Sequence, residues 1–308
     1  MRCFVTGAAG FIASHLCEHL LGAGHEVVAV DAFIPYYPRE FKEANLKHFR
    51  SHPRCQFHEL DLRTGNIEPL LAGVEVVFHI AATAGLLKSW TDFELYNSCN
   101  VTATQRLLAA VQKAAKLRRF IYASTSSVYG LFSAGDETLA TRPISPYGVT
   151  KLAGEHLCQA HAQAFGLPLV VLRYFSVYGP RQRPDMGYYH FIRALLNGGA
   201  ITVFGDGMQV RGNTYVDDCV AATIAAVEAP VCEIYNLGGG ETASVWDILG
   251  KLEKITGRSA KTVTQAGRLG DQRYTQADTG KLYRHLGWRP TTPLDDGLRR
   301  QVEWQQSS

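Results

Sequence analysis

The residues that read most directly as chemistry are Tyr147 and Lys151. Ser145 suits a helix N-cap and Pro146 the first helical position, so a helix starts here. On it the tyrosine and the lysine stand one turn apart on one face. An ammonium beside a phenol favours the phenolate and lowers a pKa of about 10, which makes the tyrosine a usable base near neutral pH. That suits removal of a proton from a sugar or steroid hydroxyl. Alone, the spacing is more often an ordinary surface pair, and the elements that position it must supply the context.

Those elements alternate. Cys3-Phe4-Val5 is a short strand leading into Thr6-Gly7-Ala8-Ala9-Gly10-Phe11-Ile12-Ala13, followed by helical spacing over residues 15–21. Glycines at a strand-to-helix turn let the backbone approach a pyrophosphate, and the helix N-terminus offers it amides and partial positive charge. The second strand, residues 26–30, ends at Asp31, where a carboxylate accepts a ribose 2′-hydroxyl and repels a 2′-phosphate. This favours NAD over NADP, with Arg39 the nearby cation that argues the other way.

A third strand over 56–60 ends at Asp61-Leu62, and a fourth over 75–80 runs into Ala81-Ala82. A helix over 94–116 carries Asn100 near its start; a fifth strand, 120–123, enters Ser124-Thr125-Ser126-Ser127; a sixth spans 169–172. The expected fold is α/β, a Rossmann-type doubly wound parallel sheet with ligands at the strand C-terminal ends. Beyond residue 178 come a polar loop over 179–185, a helix to Leu196, a strand over 201–204 and a helix over 216–227. A strand over 233–236 returns to the main sheet. A helix over 245–255, a short segment over 261–264 and two C-terminal helices complete the chain. Residues 1–176, with 213–238 returning to them, are expected as the NAD-binding domain, and 177–308 as a smaller α/β substrate-binding domain.

Bulk properties exclude several classes. With 308 residues, 46% of them hydrophobic, the chain can bury a large core. A net charge of +3 is too small to indicate nucleic acid or membrane binding. Seven scattered cysteines without a CxxC read as reduced thiols of a cytoplasmic protein, and the N-terminal apolar stretch reads as strand, turn and helix rather than as a signal peptide. His15 and His19 have metal-ligand spacing but no third ligand, so no metal is expected. The basic run Lys116-Leu117-Arg118-Arg119 is explained by a helix C-terminus.

Taken together, TGAAGFIA, Asp31, Asp61-Leu62, His79-Ile80-Ala81-Ala82, Asn100, Ser124 through Gly130, Tyr147 with Lys151, and Tyr215-Val216-Asp217-Asp218 resemble the extended short-chain dehydrogenase/reductases, in order and over nearly the whole chain. The pattern is similar to the nucleotide-sugar epimerase and dehydratase branch, which implies a tightly held NAD and a nucleoside-diphosphate sugar. Within it, the loop from Tyr178 to Met186 is most similar to that of enzymes that epimerise C4 of UDP-glucuronic acid.

The resemblance implies roles. Tyr147 takes the C4 hydroxyl proton, Lys151 supports it and Thr125 hydrogen-bonds O4. The cofactor set is Gly7, Gly10, Phe11, Ile12, Asp31, Asp61, Leu62, Ala81, Ala82, Asn100, Ser124, Tyr147, Lys151 and Tyr174. Dehydratases of the family carry an Asp-Glu pair where this chain has Ser126-Ser127, and its decarboxylases tend to have Glu at Ser127. Hydroxyls are poor proton shuttles, which leaves simple epimerisation. A 4-keto uronate loses CO2 readily, so its carboxylate must be gripped, and Ser126, Ser127, Ser176 and Arg183 are the candidates. Arg211 and Arg268 match diphosphate-binding positions, and Val203-Phe204 the uracil segment. The chain departs from the family at Gly212-Asn213, often Asp-Phe, and at Leu87, often arginine. The rivals are epimerisation of a neutral UDP-hexose, decarboxylation of UDP-glucuronate, and a catalytically silent NAD-sensing scaffold. The resemblance implies a homodimer, in which the long apolar helices after Asn100 and after Tyr147 pair with a second subunit; the same helices equally suit the covered outer face of the sheet.

Overall fold

The computed structural model describes residues 1–308. Seven strands form the main sheet: β1 (Arg2–Thr6), β2 (Glu26–Asp31), β3 (Cys55–Glu59), β4 (Val76–His79), β5 (Arg119–Thr125), β6 (Leu169–Tyr174) and β7 (Glu233–Leu237). They pair in parallel in the order 7-6-5-4-1-2-3. The sheet is the expected doubly wound one, and its order reverses between β1 and β4. A crevice opens at such a reversal, outside the strand C-termini. Both faces are covered: Cys3, Val5, Val76 and Ile121 belong to one core, Phe4, Val28, Val77 and Phe120 to the other. This is why the strands read as unbroken apolar runs rather than as alternating ones.

Two glycines set the approach distances that shape the crevice. Gly7 has φ +71°, and a Cβ there would lie 2.9 Å from Ala81 Cα, so the β1 turn and the β4 turn close on each other only with glycine at this position. Gly148, in the first turn of the Pro146–Phe165 helix, lies where a Cβ would meet Ser127 O at 2.7 Å. That closeness draws the start of the helix, and Tyr147 with it, onto the end of β5. The helix begins as its sequence requires: Ser145 Oγ accepts from Gly148 N at 3.1 Å and Pro146 occupies the first turn.

Two features differ from expectation. The helix over 94–116 is interrupted by a π segment, Ser98–Thr102, that places Asn100 at a widened turn. Ala103–Val111 then resumes as α-helix. A four-stranded sheet joins Thr242–Ser244, Val210–Gly212, Tyr274–Ala277 and Phe132–Gly135, in that order. Each of its strands has only three or four residues, too few to show a period. Its last strand directly follows the Ser124–Gly130 segment, so it stitches the C-terminal half to the end of β5. A strand at Ala200–Phe204 pairs with Lys261–Gln265 beside it.

Candidate active site

The main cleft lies at the sheet reversal. Gly7, Gly10, Phe11, Ile12, Asp31, Asp61, Leu62, Ala81, Ala82, Ser124, Tyr147, Lys151, Tyr174 and Arg183 all line it. The Phe11–Gly22 helix points its N-terminus into the cleft, and no side chain caps it, so its first amides are left for a ligand. Asp31 is anchored at the tip of β2: its carboxylate accepts from Phe33 N at 2.7 Å and Ala9 N at 3.1 Å. Arg39, the residue that argued for NADP, turns away, donating to Glu43 and Glu59 with its guanidinium over the Phe33 ring. A glycine cradle, free helix amides and an acidic acceptor at the second strand fit a dinucleotide with a free ribose 2′-hydroxyl, which is NAD.

Tyr147 stands partly exposed at the end of this cleft, its ring edge-on to Tyr96 at 6.3 Å. Burial pushes its phenol pKa up; the Thr125 hydroxyl and the Arg183 guanidinium pull in the other direction. Lys151 contributes differently from the expectation. Its ammonium sits over the Tyr122 ring at 4.2 Å, and burial lowers it to about 8. Sharing a helix face brings the two Cβ atoms close, but rotamers decide where the tips go, and here the cation that favours the phenolate is Arg183.

Asn100 departs from expectation, and several cleft residues are already engaged within the protein. Asn100 does not face the cleft: it is 1% exposed, its Oδ1 accepts from Thr83 N, and its Nδ2 donates to Thr83 O and Thr150 Oγ1. It ties the turn after β4 to the Tyr147 helix. Ser124 lines the cleft, yet its hydroxyl donates to Glu155. Tyr174 presents its ring while its hydroxyl pairs with Thr223 at 2.8 Å. Arg183 is held by Asp185 at 2.8 and 2.9 Å and donates to Ala84 O, so a bound anion would have to compete with that carboxylate. Asp61 is likewise paired, with Arg63 at 2.8 Å, which holds its carboxyl below the usual range.

Thr125, Ser126 and Ser127 are buried side by side at the end of β5, where Thr125 Oγ1 accepts from Ser127 N at 3.2 Å. Ser176 lies after β6, its carbonyl accepting from Thr214 N. The remaining group forms a second cluster in the C-terminal half. Arg268 stacks on the Phe204 ring at 3.5 Å, and Arg211 pairs with Asp271 at 2.6 Å. Val203 is a core residue, 1% exposed, and offers no surface to a base. Asn213 braces the strand: its amide donates to Arg211 O and Glu241 O. Leu87 is exposed beside Lys88, whose ammonium lies over the Tyr36 ring. His15 Nε2 donates to Pro180 O, and His19 Nδ1 to His15 O.

Sequence reasoning missed several residues. Lys42 lines the cleft, its ammonium 3.8 Å from Asp31 and donating to Ile34 O. Tyr36 and Tyr37 line it too, carried by the loop after β2. Gln272 reaches Ser126 from 146 positions away. Only the first had any signal in the sequence, as a lysine one helix past the second strand.

The profile of the NAD dependent epimerase/dehydratase family matches residues 3–238. A UDP-glucuronic acid 4-epimerase from Bacillus cereus, solved in complex with UDP-glucuronic acid and NAD, is 44% identical with a TM-score of 0.97, covering 100% of this chain and 99% of its own. An uncharacterised UDP-glucose epimerase of Bacillus subtilis is 43% identical, covering 99% of this chain and 98% of its own. A UDP-glucuronate 4-epimerase of Thermodesulfobacterium geofontis is 35% identical, covering 97% and 94%.

Proposed function

Since the chain belongs to the NAD-dependent epimerase/dehydratase family, we propose that it interconverts UDP-glucuronate and UDP-galacturonate by epimerisation at C4, with NAD as its cofactor. The observation that carries this reading is the meeting of Tyr147, Thr125 and Arg183 at the end of the dinucleotide cleft, flanked by hydroxyls where dehydration needs an acid. Gly7, Gly10, Phe11, Ile12, Asp31, Ala81 and Lys151 hold the cofactor. Bound there, NAD would supply a hydride acceptor and donor for C4.

The chain's own residues do the rest. Tyr147 accepts the O4 proton, and Thr125 orients O4 toward it. Tyr147 gives the proton back after the 4-keto sugar has turned over. Ser126, Ser127, Ser176 and Arg183 keep the C6 carboxylate out of line with the carbonyl π system, so the β-keto acid does not lose CO2. Arg211 and Arg268 hold the diphosphate, and the exposed face of Phe204 supports the uracil.

Residues 1–176 with 213–238 form the NAD-binding domain in this reading, and 177–308 the nucleotide-sugar domain; the pairing of β7 with β6 supports the assignment. The enzyme works as a cytoplasmic homodimer. Seven unpaired thiols support the compartment, and the exposed Val149 and Phe165 on the Tyr147 helix support the dimer. No helix is long and apolar enough to cross a membrane. Exposed Leu87, at a position often arginine in enzymes acting on uronates, favours a second reading, epimerisation of neutral UDP-glucose. Incubation with each sugar and NAD, followed by chromatography, decides: UDP-galacturonate as the preferred product supports the uronate, and turnover of UDP-glucose alone overturns it.

A further inference from the structure

Gln272 is 7% exposed, and its carboxamide is spent entirely on the segment that carries the site's hydroxyls. Its Nε2 donates to Gly130 O at 2.8 Å and Ser126 O at 3.2 Å and also meets Ser133 Oγ. Its Oε1 accepts from Ser126 Oγ at 3.3 Å. Two main-chain carbonyls facing one end of the amide fix which end carries the hydrogens. The same loop holds the anion-binding arginines in place: Asp271, the preceding residue, pairs with Arg211, and its N–H donates to Arg268 O. Ser145 and Trp90 flank the loop at Gly270, so it lies against the start of the Tyr147 helix.

We propose that Gln272 is a positioning residue that couples the diphosphate-binding loop to the Ser126-Ser127 turn and thereby governs whether the 4-keto uronate keeps or loses its carboxyl group. The inference rests on the uronate reading above. The turn itself is one short 3₁₀ segment, Ser126–Val128, held internally only by Thr125 Oγ1 and its backbone bonds. A shift of one hydroxyl there frees the carboxylate to rotate. When the C5–C6 bond aligns with the C4 carbonyl, its electron pair passes into the enolate, CO2 departs, and C5 takes a proton from solvent. The resulting 4-keto pentose is then reduced by the hydride already taken from C4, giving UDP-pentose. Epimerisation and decarboxylation thus share one intermediate, and the stiffness of the turn divides it between them.

Gln272→Leu keeps the volume and removes all four polar contacts. Purified parent and variant, with matched NAD content, are given UDP-glucuronate labelled at the carboxyl carbon, and released label is compared with UDP-galacturonate formed. The expected result is a rise of about tenfold in the ratio of released CO2 to epimer, the scale of one lost buried hydrogen bond. KM for UDP-glucuronate rises less than the ratio does. Ser133→Ala removes a single partner and is expected to give a smaller rise in the same direction, which keeps the test valid if the leucine variant does not fold. A parent that epimerises while both variants, or the one that folds, keep its product ratio overturns the inference alone. A parent inert on UDP-glucuronate overturns the substrate assignment and this inference with it.

Discussion

The charge balance around Tyr147 sets what the site can do. The phenol is pushed up by burial and drawn back by Arg183 and Thr125, so its activity as a base grows as pH rises toward its pKa. Tyr147→Phe should lower kcat by about 10²–10⁴-fold with NAD content unchanged, measured by chromatography of the UDP-sugars. Arg183→Met removes a cation that favours the phenolate, which raises the phenol pKa further. Its pH–rate profile should therefore rise at higher pH than the parent's, and an unmoved profile would show that Arg183 does not tune the base. Lys151 makes a prediction about stability. Its folded pKa is about 8 against an ordinary 10.5, so the unfolded chain binds the extra proton, and stability rises with pH across that window. At pH 7 ligand-free Lys151→Met should be more stable by on the order of 3 kcal/mol, the difference vanishing above about pH 10.5, as read from urea unfolding.

At the level of elements, the site depends on how the Tyr147 helix is fastened to the sheet. Glu155, one turn beyond Lys151, forms a buried ion pair with Arg173 of β6 at 2.7 Å; Arg173 also donates to Tyr129 Oη, which donates to Asn236. Glu155→Gln leaves Arg173 buried without its counter-charge and should cost about 3–5 kcal/mol of folding stability in urea unfolding. A change below about 1 kcal/mol would mean that the pair is not needed to hold the helix. Much of this scale was legible in the sequence. The strands β1, β2, β4, β5 and β6 are runs buried on both faces, and each ends at residues that reach the cleft. What was not legible depends on contacts made far along the chain. The four-stranded sheet has strands too short for a period, and the meeting of Gln272 with Ser126 leaves no local trace. Asn100 was legible as a polar residue near a helix start but not as a brace, because the π turn that aims it inward has no signature. Lys151 showed its face and not its rotamer.

Over the whole molecule, the two halves meet at one cleft. The N-terminal half brings the glycine turn, Asp31 and the Tyr147 helix; the C-terminal half brings Arg183 to the cleft, and its Gln272 reaches Ser126 at the end of β5. Binding of NAD to the folded form alone stabilises it by mass action. At a hundredfold excess over Kd, NAD should add about 2.7 kcal/mol and raise the melting temperature by several degrees. Asp31→Ala should weaken that shift by removing a charged acceptor, and NADP should give a much smaller shift than NAD. The central claim is that Tyr147 moves the O4 proton while the hydrogen on C4 leaves as hydride and comes back to C4 within a single active site. It is tested most directly by turning over UDP-glucuronate deuterated at C4. The account predicts UDP-galacturonate that retains the deuterium at C4, formed by the parent and not by Tyr147→Phe. Product with solvent hydrogen at C4, or undiminished turnover by the phenylalanine variant, would contradict it.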